Sequence, residues 1–187
     1  NGIARMWAQV QVLGGAGCVY ACVRSPEGNS VIEMRREAAQ GRAEFVWGLP
    51  ANQLWTAETP FLWRFEARVE AEDGSIDAES VRFGIRTIAA DPEKGLLVNG
   101  ASVKLRGGCV HHDNGPLGAC SWADAERRRV FKLKEAGFNA IRTAHNPPST
   151  ALLEACDALG LYVIDEAFDC WRQGKRTFDY HLFFDEW

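Results

Sequence analysis

Across residues 1–90 apolar and polar positions alternate with a period of two, the pattern of strands that bury one face and wet the other. Met6–Leu13 alternates, Cys18–Val23 follows a glycine-rich stretch, and Val31–Arg35, Ala43–Trp47, Phe61–Val69 and Ala78–Ile85 continue the series. Ser25-Pro26-Glu27-Gly28-Asn29 and Glu72-Asp73-Gly74-Ser75 supply the turns between them. About seven short strands separated by turn signals, with no helical period, predict an immunoglobulin-like β-sandwich.

The period changes after Ala90-Asp91-Pro92-Glu93-Lys94-Gly95, which reads as a linker, so domains are expected over 1–90 and 91–187. Leu96–Val98, the Asn99-Gly100 turn and Val103–Arg106 form an expected hairpin whose second arm leads towards Gly107–Val110. Ser121, with Asp124 three residues on, is the expected cap of a helix striped by Val130, Leu133 and Ala136 and ended by Gly137. Phe138–Ile141 is then a strand, Ser149 opens a second helix that Gly160 closes, and Leu161–Ile164 is a further strand. The last two strands are almost wholly apolar, as parallel strands covered on both faces are. Polar residues follow each strand: His111 to Asn114 after the first, Arg142, His145 and Asn146 after the second, and Asp165-Glu166 after the third. A right-handed β-α-β-α-β path brings all three carboxyl ends to one rim, where such folds carry their chemistry.

Composition narrows the partners. With 187 residues, 47% hydrophobic, the chain is long enough for one or two packed domains, and its formal charge of −4 offers no attraction to nucleic acid or anionic membrane. The basic run Arg127-Arg128-Arg129, with Glu126 and Glu135 nearby, reads as a solvated helix face. No run reaches the roughly 18 apolar residues of a membrane span, and the start lacks a signal-peptide pattern. Both ends read as cuts through a longer protein. The six cysteines make no disulfide framework; Cys18 and Cys22 on one strand would stand about 13 Å apart, too far to bridge. A reduced, cytoplasmic chain is the expectation.

The run Asn139-Ala140-Ile141-Arg142-Thr143-Ala144-His145-Asn146-Pro147, followed by Cys156-Asp157 and Gly160-Leu161-Tyr162-Val163-Ile164-Asp165-Glu166, resembles the signature of glycoside hydrolase family 2. Leu54-Trp55, Glu58–Leu62 and Phe83–Arg86 are similar to the last strands of that family's immunoglobulin-like domain. The resemblance implies that an incomplete (β/α)8 TIM barrel, with about three strands and two helices, follows the sandwich. It implies a retaining exo-β-glycosidase, β-galactosidase-like, with a carbohydrate substrate and no cofactor. His111 and His145 would bond sugar hydroxyls, and Arg142 would lie near the nucleophile. Asp165, Glu166, Asn146, Asp113 and Trp171 would support the site.

Both catalytic glutamates of the family come from later barrel strands and would lie beyond Trp187. Asp165 and Glu166, adjacent on an extended strand, point apart and cannot form the closely spaced carboxyl pair that retention needs. The chain by itself is therefore expected to be inactive and to self-associate through open barrel edges. His111, His112, Asp113 and His145 are possible metal ligands, but their spacing fits no short metal motif, and Arg172 stands where a magnesium ligand of some family members lies, so no metal is expected. Trp7, Trp47, Trp55 and Trp63 read as core and interface rather than as a sugar-stacking platform. A noncatalytic carbohydrate-binding or scaffold protein is the alternative class.

Overall fold

The protein is described from a computed structural model that covers residues 2–13, 17–71, 73–167, 170, 174 and 176. Its contacts divide it into one unit up to Val103 and a second from Lys104 onward.

The first unit begins with six strands: β1 (Ile3–Gln11), β2 (Gly17–Arg24), β3 (Ser30–Glu37), β4 (Arg42–Pro50), β5 (Trp63–Ala71) and β6 (Ile76–Phe83). β1 pairs antiparallel with β4, and the other four form an antiparallel sheet in the order β3-β2-β5-β6. Alternation decides which side chains meet. Ala43, Phe45, Trp47 and Leu49 of β4 face Val19, Ala21 and Val23 of β2 and Trp63, Phe65 and Ala67 of β5 in one cluster, with Met6, Ala8 and Val10 of β1 packed on it. Phe65 stacks on Trp47 at 5.3 Å and meets Phe45 edge-on at 5.9 Å. Each large side chain buried in such a cluster contributes about 1.5–3 kcal/mol.

The architecture is thus the two-sheet β-sandwich expected of an immunoglobulin-like domain, with six strands rather than about seven among the described residues. Trp47, Trp55 and Trp63 are buried as core, but Trp7 is 59% exposed. It points outward from β1 beside a hollow of about 520 Å³ between β1 and β6, because odd positions of that strand face away from the cluster.

Trp55 closes this unit's other end. Its amide donates to the Ile85 carbonyl at 2.8 Å, its carbonyl accepts from Asn99 Nδ2 at 3.1 Å, and the Arg86 guanidinium lies over its ring. Three short strands, β7 (Ile88–Asp91), β8 (Gly95–Val98) and β9 (Ala101–Ser102), form a meander. The Asn99-Gly100 turn forms as expected, both residues having positive φ, 53° and 80°. The second arm does not run on to Arg106: pairing covers Ala101 and Ser102, the Val103 amide still donates to the Leu96 carbonyl at 2.8 Å, and residues 104–106 are claimed by Asn139.

The second unit is β10 (Gly107–Val110), a 3₁₀ turn over Gly115–Leu117, α1 (Ala123–Glu135), β11 (Ala140–Thr143), α2 (Thr150–Leu159) and β12 (Tyr162–Asp165). The strands are parallel in the order β10-β11-β12, with Val110, Thr143 and Asp165 aligned at their carboxyl ends. Val130 of α1 and Leu152, Ala155 and Cys156 of α2 pack with Ile141 and Leu161 in one cluster, so both helices cover the same sheet face. This is the opening of a (β/α)8 barrel.

Local chemistry fixes its parts. Ser149 caps α2, its Oγ accepting from the Leu152 amide at 3.2 Å, and Gly160 ends the helix at φ 80°. Ser121 does not cap α1; Trp122 holds that position without a side-chain bond, and the serine hydroxyl is directed to Glu126 instead. Asn139, buried, clamps the approach to β10: its Nδ2 donates to the Lys104 carbonyl at 3.1 Å and its Oδ1 accepts from the Arg106 amide at 2.7 Å. Gly107 then lies so close to β11 that a Cβ there would fall 2.1 Å from the Ala140 carbonyl oxygen. Only glycine fits.

Candidate active site

Register sets which side chains meet at the rim. Cys109, Arg142 and Ile164 are neighbours across the three strands and project from the face opposite the helices, because Ile141 and Val163 on alternate positions join the helical cluster. In a closed barrel that face looks onto the axis.

Arg142 is held there by Glu166. Its Nε donates to Glu166 Oε1 at 2.5 Å, and its Nη2 pairs with the same oxygen. The hydrogen bond and charge of that carboxylate push the guanidinium pKa further up, fixing its positive charge. The other carboxylate oxygen, Oε2, is buried and lies 3.4 Å from His145 Nδ1, outside hydrogen-bond geometry. His145 follows a cis peptide from Ala144, and its ring meets the ring of His111 edge-on, centroids 5.3 Å apart. Four of the residues singled out from sequence, His111, Arg142, His145 and Glu166, therefore form one contiguous group at the carboxyl ends of three strands, Arg142 from within β11 and the others just past their strands.

The remaining candidates are arranged differently. Asp165 accepts from Thr143 Oγ1 at 3.2 Å, on the opposite side of the strand from the Arg142–Glu166 pair. Asp113 turns back on its own loop, its Oδ1 accepting from the Gly115 amide at 3.1 Å and its carbonyl from Arg129. Asn146 is exposed. Trp171 lies outside the described residues, as does Arg172. Among the described residues no group of three or more His, Cys, Asp or Glu side chains gathers in a metal-binding arrangement.

Four further residues, Cys109, His112, Glu126 and Arg129, take places that the sequence did not assign to them. Cys109 Sγ accepts from Arg142 Nη1 at 3.4 Å, and His112 Nε2 lies 3.2 Å from the Pro147 carbonyl, tying the first rim loop to the second. Arg129 and Glu126, read from sequence as part of a solvated face, are instead drawn inward; Glu126 is 4% exposed. The signal was present, since Glu126 stands on the stripe of Val130 and Leu133 at helical spacing.

Sandwich and rim together define a β-sandwich followed by the first strands of a catalytic-type (β/α)8 barrel. Residues 21–86 match the sequence model described as glycosyl hydrolases family 2, and residues 91–172 match the one described as glycosyl hydrolases family 2, TIM barrel domain. The chain belongs to glycoside hydrolase family 2. A β-galactosidase of Bacteroides ovatus is 40% identical over 90% of the chain, and a β-galactosidase of Aeromonas hydrophila is 34% identical over 87%. A crystal structure of a family 2 glycosyl hydrolase from Bacteroides cellulosilyticus superposes with a TM-score of 0.82 at 40% identity, over 98% of this chain and 25% of that one. The chain spans 20% and 17% of the lengths of the two curated relatives.

Proposed function

We propose that the chain is part of a retaining exo-β-glycosidase that hydrolyses terminal β-glycosidic bonds, with β-galactosides as substrates. The observation that carries this reading is the group of His111, Arg142, His145 and Glu166 on the rim of a family 2 barrel. The two imidazoles, in edge-on contact, supply adjacent hydrogen-bonding groups for sugar hydroxyls, while Arg142, oriented by Glu166, supplies fixed positive charge where a carboxylate nucleophile has to stay ionised. Asp165, Asn146, Asp113 and Trp171 are assigned supporting places around that group.

Retention needs two carboxyl groups about 5 Å apart around an oxocarbenium-like transition state. Glu166 is already bonded to Arg142 and Asp165 to Thr143, on opposite sides of the strand, so this chain supplies the binding half of the site. The nucleophile and acid/base glutamates are assigned to strands beyond Trp187. A domain boundary near 90/91 is supported by the barrel match beginning at residue 91, whereas the contacts divide the chain after Val103, with β7 to β9 on the sandwich side. A cytoplasmic location is supported by the spacing of the six cysteines, which makes no disulfide framework. Galactoside preference is supported by the names of the Bacteroides ovatus and Aeromonas hydrophila relatives.

The test is a panel of nitrophenyl glycosides presented to the intact polypeptide. Fastest turnover of the β-galactoside, abolished by His145→Ala with the fold retained, is the expected result. Turnover of none of the panel overturns the reading, and preference for a β-glucuronide overturns the substrate assignment alone.

A further inference from the structure

The rim histidines sit on two separate loops, and the structure holds those loops together from beneath. Ser121 Oγ donates to Glu126 Oε1 at 2.9 Å, and Ser121 Oγ and Ser149 Oγ are 2.5 Å apart. A carboxylate only accepts, and the Ser121 proton is committed to it. Ser149 must therefore donate to Ser121, while its own oxygen accepts from the Leu152 amide. The result is a directed chain from the first turn of α2 through both serines to Glu126. Arg129 completes it from the other side, with Nη1 3.3 Å from Glu126 Oε2 and Nη2 donating to the Asp113 carbonyl. His112 adds the contact to the Pro147 carbonyl.

We propose that Glu126, acting through Ser121 and Arg129, is a positioning residue that sets the spacing of His111 and His145. Its two carboxylate oxygens are turned towards different loops, one by a hydrogen bond and the other by charge. Through Ser121, Oε1 reaches Ser149 at the start of α2, on the loop that carries His145; Oε2 is buried without a hydrogen bond and faces Arg129 as an ion pair at 3.3 Å, and Arg129 donates to the Asp113 carbonyl on the loop that carries His111. The network encloses a cavity of about 20 Å³ lined by His111, Asn114, Ser121, Glu126 and Thr143, so little free volume is left for the loops to drift. A buried carboxylate is costly unless it is paired and hydrogen-bonded, and Glu126 finds both partners in residues that tie the rim loops.

This inference rests on the glycosidase reading, and its test separates the two. In the intact polypeptide, kcat and KM for an aryl β-galactoside are measured for the parent, Ser121→Ala, Ser121→Thr, Glu126→Gln, His111→Ala and the Ser121→Ala/His111→Ala pair. Ser121→Ala leaves the ion pair in place, which keeps the question answerable where a Glu126 variant fails to fold. A misplaced rim group costs roughly 10- to 100-fold in kcat/KM, so Ser121→Ala is expected to lose at least about tenfold, mainly through KM, and Ser121→Thr to recover it. The double variant is expected to lose less than the product of the two single losses, because the network acts on the spacing of His111 against His145 and one member of that pair is already gone. Losses that multiply, or a Ser121→Ala protein within about twofold of the parent, overturn the positioning role. A parent inactive on the whole glycoside panel overturns the glycosidase reading and this role with it, whereas an active parent whose His111→Ala variant keeps an unchanged kcat/KM overturns the positioning role alone.

Discussion

Arg129 and Arg142 are both only partly exposed, and in each the partner decides what the charge does. Arg142 was legible because it stands in a long motif with fixed polar neighbours; Arg129 was hidden in a run of three arginines whose first two do face water. A string of like residues conceals which one points inward until helical phase is applied. The tryptophans show the converse: Trp47, Trp55 and Trp63 are core as alternation implies, and Trp7 misses the core by the one-position offset that places it on the outer face of β1. Cys156 gives a test at this scale. Burial first, then the nearby Asp157 and Glu126 charges, push its thiol from an ordinary 9.0 up to about 12. Between those values the unfolded chain gives up the proton and the folded one keeps it, so stability is full below about pH 9 and falls as pH rises towards about 12. Thermal melts of the barrel unit across that window should decline more steeply for the parent than for Cys156→Ala. Equal slopes would remove the thiol from the account. At neutral pH the same thiol should resist alkylation until the unit unfolds.

Among the elements, those with regular periods were found in place, and the errors cluster where a side chain outbid the local pattern. The strand expected over Phe138–Ile141 begins at Ala140, because Asn139 is engaged with residues 104–106 and Thr143, buried, extends the pairing at the other end. Residues 104–106 of the expected hairpin arm are lost to the same asparagine. Ser121 fits a capping pattern but has a stronger acceptor in the Glu126 carboxylate, which no spacing rule displays. The parallel pairing of β10 with β11 depends on Gly107. Gly107→Ala should destabilise the barrel unit by roughly 2–4 kcal/mol, since a Cβ against a backbone carbonyl forces the strands apart. Denaturant unfolding followed in each unit checks it, with the sandwich transition unchanged; a variant as stable as the parent would mean that β10 is free to shift.

At the scale of the whole molecule the two units face different fates when taken alone. The sandwich has a closed cluster of its own. In the second unit β10 and β12 are sheet edges, and the face bearing Cys109, Arg142 and Ile164 is uncovered among the described residues. Unpaired edges recruit other chains. The isolated chain is expected to dimerise or aggregate at micromolar concentration in analytical ultracentrifugation, and a single monomeric species without apolar-dye binding would count against this. It is also expected to hydrolyse no aryl β-glycoside; a rate that scales with pure chain and vanishes on His145→Ala would show that the carboxylates it needs are already here.

The grip of Asn139 on Lys104 and Arg106 has a further consequence for spacing. Residues 104–106 work as a ruler of fixed length, pinned at both ends by one amide side chain and followed at once by the glycine that touches β11. An extra residue after Val103 leaves the ruler whole, whereas one after Arg106 slides Gly107 out of its slot and turns Cys109 and Val110 to the wrong faces. Tolerance to inserted length should therefore change abruptly within four positions of the chain, at Lys104 rather than at the linker.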